Sequence, residues 1–356
     1  MSMHQICGTA VVDTVTKRAI RRILPGQIAV LQHEDIDRLA ARDLIEAGVR
    51  GIVNLSATVT GRYRAEGPLL LLKQGIPVLD VYRHHVQHPL EDGMKLWMRG
   101  NRWGWIASPA TFVEISRGRR LTHQLYQQKM ALAEARRVQM LSQFLDNTLA
   151  FMAKEKELLL TEAAWPQLKT RVEGRLVVIV VRGSQYREDL RALRHHLEKM
   201  RPLYLGVDGG ADALLQQNIL PDLILGDMDS VSDEGLHSGA ELVVHAYPDG
   251  RCPGINRVLE HGLEAVVYPS IGTSEDAALL LMNALGAERL ILIGSHFDPL
   301  DFWEKGRQGM GSTLLVRTIL GERIIDAKGL NALVAPAESF PMSLKARREF
   351  SYEGLM

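Results

Sequence analysis

Between residues 176 and 293 the chain repeats one pattern six times, a short apolar run of strand length followed by a helical or turn segment. Leu176 to Arg182 is continuously apolar up to its last residue, the composition of a strand buried on both faces. Leu203 to Val207, Asp222 to Leu225, Glu241 to His245, Ala265 to Tyr268 and Arg289 to Ile293 follow, with helical stretches such as Arg187 to Lys199 between most of them. Alternation of this kind predicts an α/β fold with a doubly wound parallel sheet, whose ligands bind at the carboxyl ends of the strands.

Two of those strand ends carry chemistry. Val207-Asp208-Gly209-Gly210-Ala211-Asp212 closes one strand, and Pro221-Asp222-Leu223-Ile224-Leu225-Gly226-Asp227-Met228-Asp229-Ser230 closes the next. Asp227 and Asp229 are two apart, so in an extended segment they point to the same side, and Asp208 can join them from the neighbouring strand. Three hard oxygen donors suit Mg²⁺, which completes its shell with water and substrate phosphates, and the glycines let backbone approach those phosphates. Read singly, Asp227 and Ser230 are helix caps and Gly209-Gly210 a tight turn. Read together, they form a site, because independent caps have no reason to converge on one sheet edge. Arg182-Gly183-Ser184 closes the first strand of this part, where Arg182 either grips a phosphate bidentately or pairs with an edge aspartate. Gly306 to Thr313 is a glycine-rich loop without the lysine of a P-loop. It either adds backbone donors at a helix start or is an ordinary capped start.

The run Val207 to Ser230 resembles the nucleotide-binding core of thiamin pyrophosphokinases, whose corresponding turns hold Mg²⁺ and ATP phosphates; this likeness covers about the second half of the chain. A wider set of motifs resembles the SteA-like cytokinetic-ring proteins of Gram-positive bacteria. It comprises Val243 to Arg251, Gly272-Thr273-Ser274-Glu275-Asp276, Gly329, Gly26 to Leu31 and Ser56 to Tyr63, spanning nearly the whole chain. The resemblance implies a nucleotide site of Arg182, Gly183, Asp208, Gly209, Gly210, Asp227, Asp229, Ser230, Thr273 and Asp276, with Asp208, Asp227 and Asp229 on Mg²⁺.

Departures from the enzymes are equally specific. Where they carry Lys-Asp-x-Thr-Asp-x-Glu, this chain reads Pro269 to Asp276: it keeps Thr273, puts Asp276 at the glutamate position and Ser274 at the aspartate position, and lacks the lysine. That lysine is a point charge that would steady transferring phosphoryl oxygens. The thiamin-side Gly-Gly-Arg-x-Asp-His pattern is replaced by Gly294-Ser295-His296-Phe297-Asp298, and the residues after Ala335 are too few for the β-sandwich that follows in those enzymes.

Lysine plus arginine and aspartate plus glutamate each number 42, so no global field recruits nucleic acid or anionic lipid. The basic runs Lys17-Arg18 with Arg21-Arg22, and Arg117 with Arg119-Arg120, read as solvated faces. Two cysteines, Cys7 and Cys252, form neither a disulfide framework nor a zinc spacing, and His84-His85, His88 and His195-His196 lack ligand-spaced partners. No apolar run approaches the roughly 20 residues a membrane helix needs, and Met1 to Cys7 lacks a signal-peptide core. The expected location is cytoplasmic, at the division site through a partner.

In the first third, Gln27 to Leu31, Gly51 to Leu55 and Pro77 to Val81 read as strands alternating with helices over Asp35 to Ala47 and Pro68 to Gln74. This part resembles the swivelling β/β/α domains of phosphotransfer proteins. Met94 to Ile106 carries a hairpin signal at Gly100-Asn101, with Trp97, Trp103 and Trp105 in core packing or stacked on a ligand. From about Thr122 to Leu160 runs one helix with an apolar stripe of Val138, Leu141, Leu145, Leu149 and Met152. Its expected partner is a neighbouring domain, a second copy or a division protein, and Ala163-Ala164-Trp165-Pro166 ends it. The expected division is an N-terminal α/β domain at 1–115, a helical connector at 116–170, a thiamin pyrophosphokinase-like nucleotide-binding domain at 171–335 and a polar tail at 336–356.

Two functions follow. One is a nucleotide-responsive cytokinetic-ring component that binds Mg²⁺ with ATP or another nucleotide. The alternative is an active diphosphotransferase using ATP on a hydroxymethyl-bearing heterocycle.

Overall fold

The structure, a computed structural model, describes residues 5–82, 89–108, 111–160, 165–183 and 185–334. His84, His85, His88, Ala163, Ala164, Ser184 and the tail from Pro336 lie outside the described residues. The chain forms two compact units, Met1–Phe151 with Asp298–Met310, and Met152–Phe297 with Gly311–Met356.

In the first unit β1 (Ile6–Val12), β2 (Ile28–Leu31), β3 (Gly51–Asn54) and β4 (Val78–Asp80) run parallel, linked by α1 (Thr16–Arg22), α2 (Arg38–Glu46) and α3 (Gly67–Lys73). An antiparallel ribbon of β5 (Lys95–Arg99), β6 (Arg102–Ser108) and β7 (Thr111–Arg117) adds to the β1 edge, and β8 (Arg119–Arg120) adds to β4. The sheet is larger than its sequence suggests, since β1, β7 and β8 follow no clean alternation. Successive residues of β2 serve opposite faces: Ala29 and Leu31 pack with Leu44, Ile52 and Leu71, while Ile28 and Val30 pack with Leu79, Leu96 and Trp103. Trp103 is fully buried and its Nε1 donates to Ser116 Oγ at 2.9 Å, a core role. The basic run on α1 is a paired surface: Arg18 and Arg22 reach Asp13 at 3.0 and 3.1 Å. The 38-residue α4 (His123–Leu160) follows.

In the second unit the parallel strands are β9 (Leu176–Val180), β10 (Leu203–Val207), β11 (Leu223–Gly226), β12 (Glu241–Ala246), β13 (Val266–Pro269), β14 (Arg289–Ile293) and β15 (Ile324–Asp326), in the order β13-β12-β11-β10-β9-β14-β15. Six strands match the sequence pattern; β15, three residues with none fully buried, is the seventh. Val177 to Val180 are wholly buried, as a strand covered on both faces requires. Strand order reverses between β9 and β14, so this is the topological switch point. The helices are α5 (Tyr186–Met200), α6 (Gly210–Leu215), α7 (Asp233–Leu236), α8 (Ile255–Glu260), α9 (Ser274–Ala284), α11 (Gly311–Leu320) and α12 (Asn331–Val334); α10 (Pro299–Glu304) belongs to the first unit. Among the described residues no helix is long and apolar enough to cross a membrane.

Candidate functional site

The site grows from the ends of β9, β10 and β11. Asp208 leaves β10 with a φ of +50°, a left-handed conformation that aspartate tolerates better than most non-glycine residues. Its N–H still pairs with Leu225 O at 2.9 Å, and its Oδ1 accepts the Asp227 N–H at 2.9 Å. Gly226 makes room for this: a Cβ there would lie 1.9 Å from Asp208 Oδ1. Met228, with a φ of +63°, turns its side chain into the core with Ile224, Val231 and Val244, which leaves Asp227 and Asp229 exposed on either side of it. Asp227 Oδ1 accepts the Asp229 N–H at 3.0 Å. Arg257 holds the turn from behind by donating to Met228 O, and it pairs with Asp233 at 2.9 Å.

Arg182 lies against the same edge, since a Cβ on Gly209 would meet its Nε at 2.5 Å. Gly210 and Gly183 permit two more close approaches, to Val180 O at 1.9 Å and Gly294 O at 2.1 Å from the position of an added Cβ. Arg182, Gly183, Asp208, Gly209, Gly210, Asp227 and Asp229 therefore share one sheet edge, with the half-buried Ser230 next in the chain. The helix-cap alternative for Asp227 and Ser230 fails on geometry: α7 is capped by Ser232, whose Oγ accepts the Gly235 N–H at 2.9 Å.

Thr273 and Asp276 have a different immediate occupation. They form the capping box of α9, Thr273 Oγ1 accepting from Asp276 N at 3.0 Å and Asp276 Oδ2 from Thr273 N at 2.9 Å. Asp276 is fully buried, and burial raises its carboxyl above the usual range. Ser312 Oγ and Thr313 Oγ1 both donate to its Oδ2 at 3.0 Å. The Glu155 carboxylate accepts from the Ser312 backbone. The N-terminus of α11 is thus occupied by two of the chain's own carboxylates, which favours the ordinary capped start over added backbone donors for phosphate.

A second cluster at the ends of β14 and β15 carries a weaker sequence signal. Burial pushes the Glu275 carboxyl up, but hydrogen bonds and charge from His296 and the charge of Arg317 outweigh it, so the net direction is down. Glu275 Oε2 accepts the His296 N–H at 3.1 Å and lies 3.3 Å from His296 Nδ1; its Oε1 is 3.4 Å from Arg317. Arg317 continues to Asp326 at 2.8 Å and lies over the Phe297 ring, 4.1 Å from its centroid. Ser295 Oγ donates to Asp326 at 2.9 Å. The sequence offers the paired acids Glu275-Asp276 at the start of an apolar helix and Ser295-His296 at the end of β14.

Among the described residues no three His, Cys, Asp or Glu side chains are gathered closely enough to hold a metal ion. Asp208 and Asp227 each give one oxygen to a backbone N–H. The adjacent pair still fits Mg²⁺, which binds through one or two carboxylates and leaves its other positions to water and phosphate. A groove of about 690 Å³ lined by Trp97, Arg99, Phe112 and Glu114 belongs to the first unit and includes none of these residues.

The second unit is therefore a doubly wound α/β domain with an acidic, glycine-bearing edge. Residues 194–249 match the thiamin pyrophosphokinase catalytic domain family, so this unit carries a thiamin pyrophosphokinase-like domain. The chain is similar to the 6-hydroxymethyl-7,8-dihydropterin pyrophosphokinase of Methanothermobacter thermautotrophicus, 32% identical over 133 residues, covering 31% of this chain and 55% of the relative. It is also 32% identical over 152 residues to the enzyme of that name from Methanocaldococcus jannaschii, covering 37% of this chain and 62% of the relative. The chain thus spans less than two thirds of either relative. Among solved structures, the thiamin pyrophosphokinases of Bacillus subtilis and Geobacillus thermodenitrificans align at TM-scores of 0.27 and 0.28, with 17% and 20% identity. These alignments cover 43% and 42% of this chain and 60% and 58% of those chains.

Proposed function

We propose that the second unit is a Mg²⁺- and ATP-dependent diphosphotransferase whose acceptor is a heterocycle bearing a hydroxymethyl group. The observation that carries the proposal is the tie between Asp208 and Asp227 across adjacent strand ends, beside Arg182 and the glycines. Asp208 and Asp227, with Asp229 beside them, hold Mg²⁺, which neutralises phosphate charge. Arg182 pairs with phosphate oxygens, and Gly209 and Gly210 bring backbone close to them. In the reaction the acceptor hydroxyl oxygen bonds to the β-phosphorus of ATP, and the bond from that phosphorus to the oxygen bridging to the α-phosphorus breaks. AMP leaves with the electron pair, and the hydroxyl proton passes to solvent. Positioning and charge stabilisation carry catalysis of this type.

The acceptor proposed is a hydroxymethyl-dihydropterin rather than thiamin. The similar curated proteins carry that activity in their names, and Gly294-Ser295-His296 replaces the thiamin-side pattern. Purified protein incubated with ATP, Mg²⁺ and 6-hydroxymethyl-7,8-dihydropterin should release AMP and the diphosphorylated pterin; nucleotide binding without AMP release refutes it.

The second reading, a nucleotide-responsive component of the bacterial cytokinetic ring, rests on the motif resemblance that extends to Gly26 to Leu31 and Ser56 to Tyr63; the first unit and all of α4 lie outside the matched residues 194–249. In that case nucleotide binds and is not turned over, and division proteins engage the first unit or α4.

A further inference from the structure

One face of α4 is buried: Phe144 packs edge-on against Phe302 and Trp303 at 6.0 and 5.7 Å, and Thr148 Oγ1 accepts the Met310 N–H at 3.1 Å. Beside it runs a row of aliphatic side chains that the chain itself leaves open. Val138 is 73% exposed, Leu141 39%, Leu145 47% and Leu149 65%, and the row continues to the half-buried Met152. Large side chains exposed in a contiguous row mark an association surface, whereas scattered ones do not.

The spacing of this row identifies its occupant. From Val138 to Met152 the steps are three, four, four and three residues, the same read from either end, with Leu145 at the centre. At about 100° per residue, all five side chains fall within roughly 40° of the Leu145 direction. Glu134 and Lys156, eleven residues before and after Leu145, fall within about 20° of it. We infer that α4 pairs antiparallel with α4 of a second copy of this chain, across a two-fold axis at Leu145. Val138 then meets the partner's Met152, Leu141 the partner's Leu149, and Leu145 the partner's Leu145. Glu134, which within its own helix pairs with Arg137 at 3.0 Å, meets the partner's Lys156. This is the self-complementarity a two-fold contact requires, residue i meeting j while j meets i. A parallel pair would set Glu134 against Glu134 and Lys156 against Lys156, so charge selects the antiparallel arrangement. Arg136 and Lys154, which the same symmetry would oppose, lie about 180° from the row and do not meet.

Cysteine cross-linking of the full chain tests both the partner and the register. Under mild oxidation Leu145→Cys should form a disulfide-linked dimer beyond the background of the unsubstituted protein, which carries Cys7 and Cys252. Leu132→Cys, 45% exposed but about 140° around the helix, should not. The double variant Glu134→Cys with Lys156→Cys should cross-link where neither single variant does. In sedimentation equilibrium at micromolar concentration the unsubstituted chain should be a dimer and Leu145→Glu a monomer with an unchanged circular dichroism spectrum. A monomeric unsubstituted chain overturns the inference, and so does a Leu132→Cys variant that cross-links as readily as Leu145→Cys. Should Leu145→Glu fail to fold, the cross-linking pattern alone decides. Capture of a different protein by a chain that stays monomeric would also count against it.

Discussion

Asp227 donates its backbone N–H to the Asp208 carboxylate at 2.9 Å, tying the ends of β10 and β11 so that two acidic side chains share one edge. If this pair holds Mg²⁺ against nucleotide phosphates, Asp227→Asn should weaken nucleotide binding tenfold or more, about 1.4 kcal/mol. Gly226→Ala should do the same without removing a charge, because its Cβ would displace Asp208 Oδ1, 1.9 Å away. Titration calorimetry with ATP, with and without a chelator, measures both; affinity unchanged in either variant refutes the assignment.

Glu275 is buried with His296 and Arg317 as partners; its removal takes one partner from Arg317, which keeps Asp326, and leaves the His296 N–H without its acceptor. Glu275→Ala should cost about 1–3 kcal/mol of stability. The sign of its pH dependence follows from its lowered carboxyl. The stabilisation is present above the unfolded-state pKa and is lost as pH falls through the folded value. Urea titrations across a descending pH series should show the variant below the parent at neutral pH, with the gap narrowing as the pH falls below the ordinary carboxyl range. A variant as stable as the parent at pH 7 contradicts the buried-pair account.

Glu304 behaves in the opposite sense. Burial, reinforced by Asp37 and Asp301, pushes its carboxyl up to about 8. A raised carboxyl pKa means the folded state holds its proton more tightly than the unfolded chain, so stability falls as pH rises from the ordinary carboxyl range toward 8. Glu304→Gln should match the parent near pH 5 and melt at a higher temperature than the parent at pH 8.5. Equal melting temperatures at both values would show that Glu304 is already ionised without cost.

What the sequence discloses, and what it does not, divides on physical lines. β9 is legible because Leu176 to Val180 must be apolar on both faces, and the hairpin at Gly100-Asn101 is legible because the turn residues announce it. β15 is too short to show periodicity, and its Ile325 and Asp326 are exposed. Aspartates two apart, followed by a seryl residue, suggest a cap, yet the cap lies two residues further on, at Ser232. The Glu275, His296, Arg317 and Asp326 network draws on β14, α9, α11 and β15, so only the folded chain assembles it. Likewise the glycine-rich run before α11 looks like a phosphate loop because its sequence does not reveal that Asp276 and Glu155 already occupy the helix start.

Product analysis after incubating the protein with ATP, Mg²⁺ and 6-hydroxymethyl-7,8-dihydropterin, with thiamin as the parallel acceptor, decides whether the acidic edge transfers diphosphate. Equal amounts of AMP and diphosphorylated pterin are expected, at a rate within the ordinary enzymatic range of about 1 per second or faster. No thiamin diphosphate above background is expected, and Asp227→Asn should lose the product. ATP that binds with Mg²⁺ dependence yet yields no AMP with the pterin would contradict the proposed function and leave a nucleotide-binding protein without transfer chemistry.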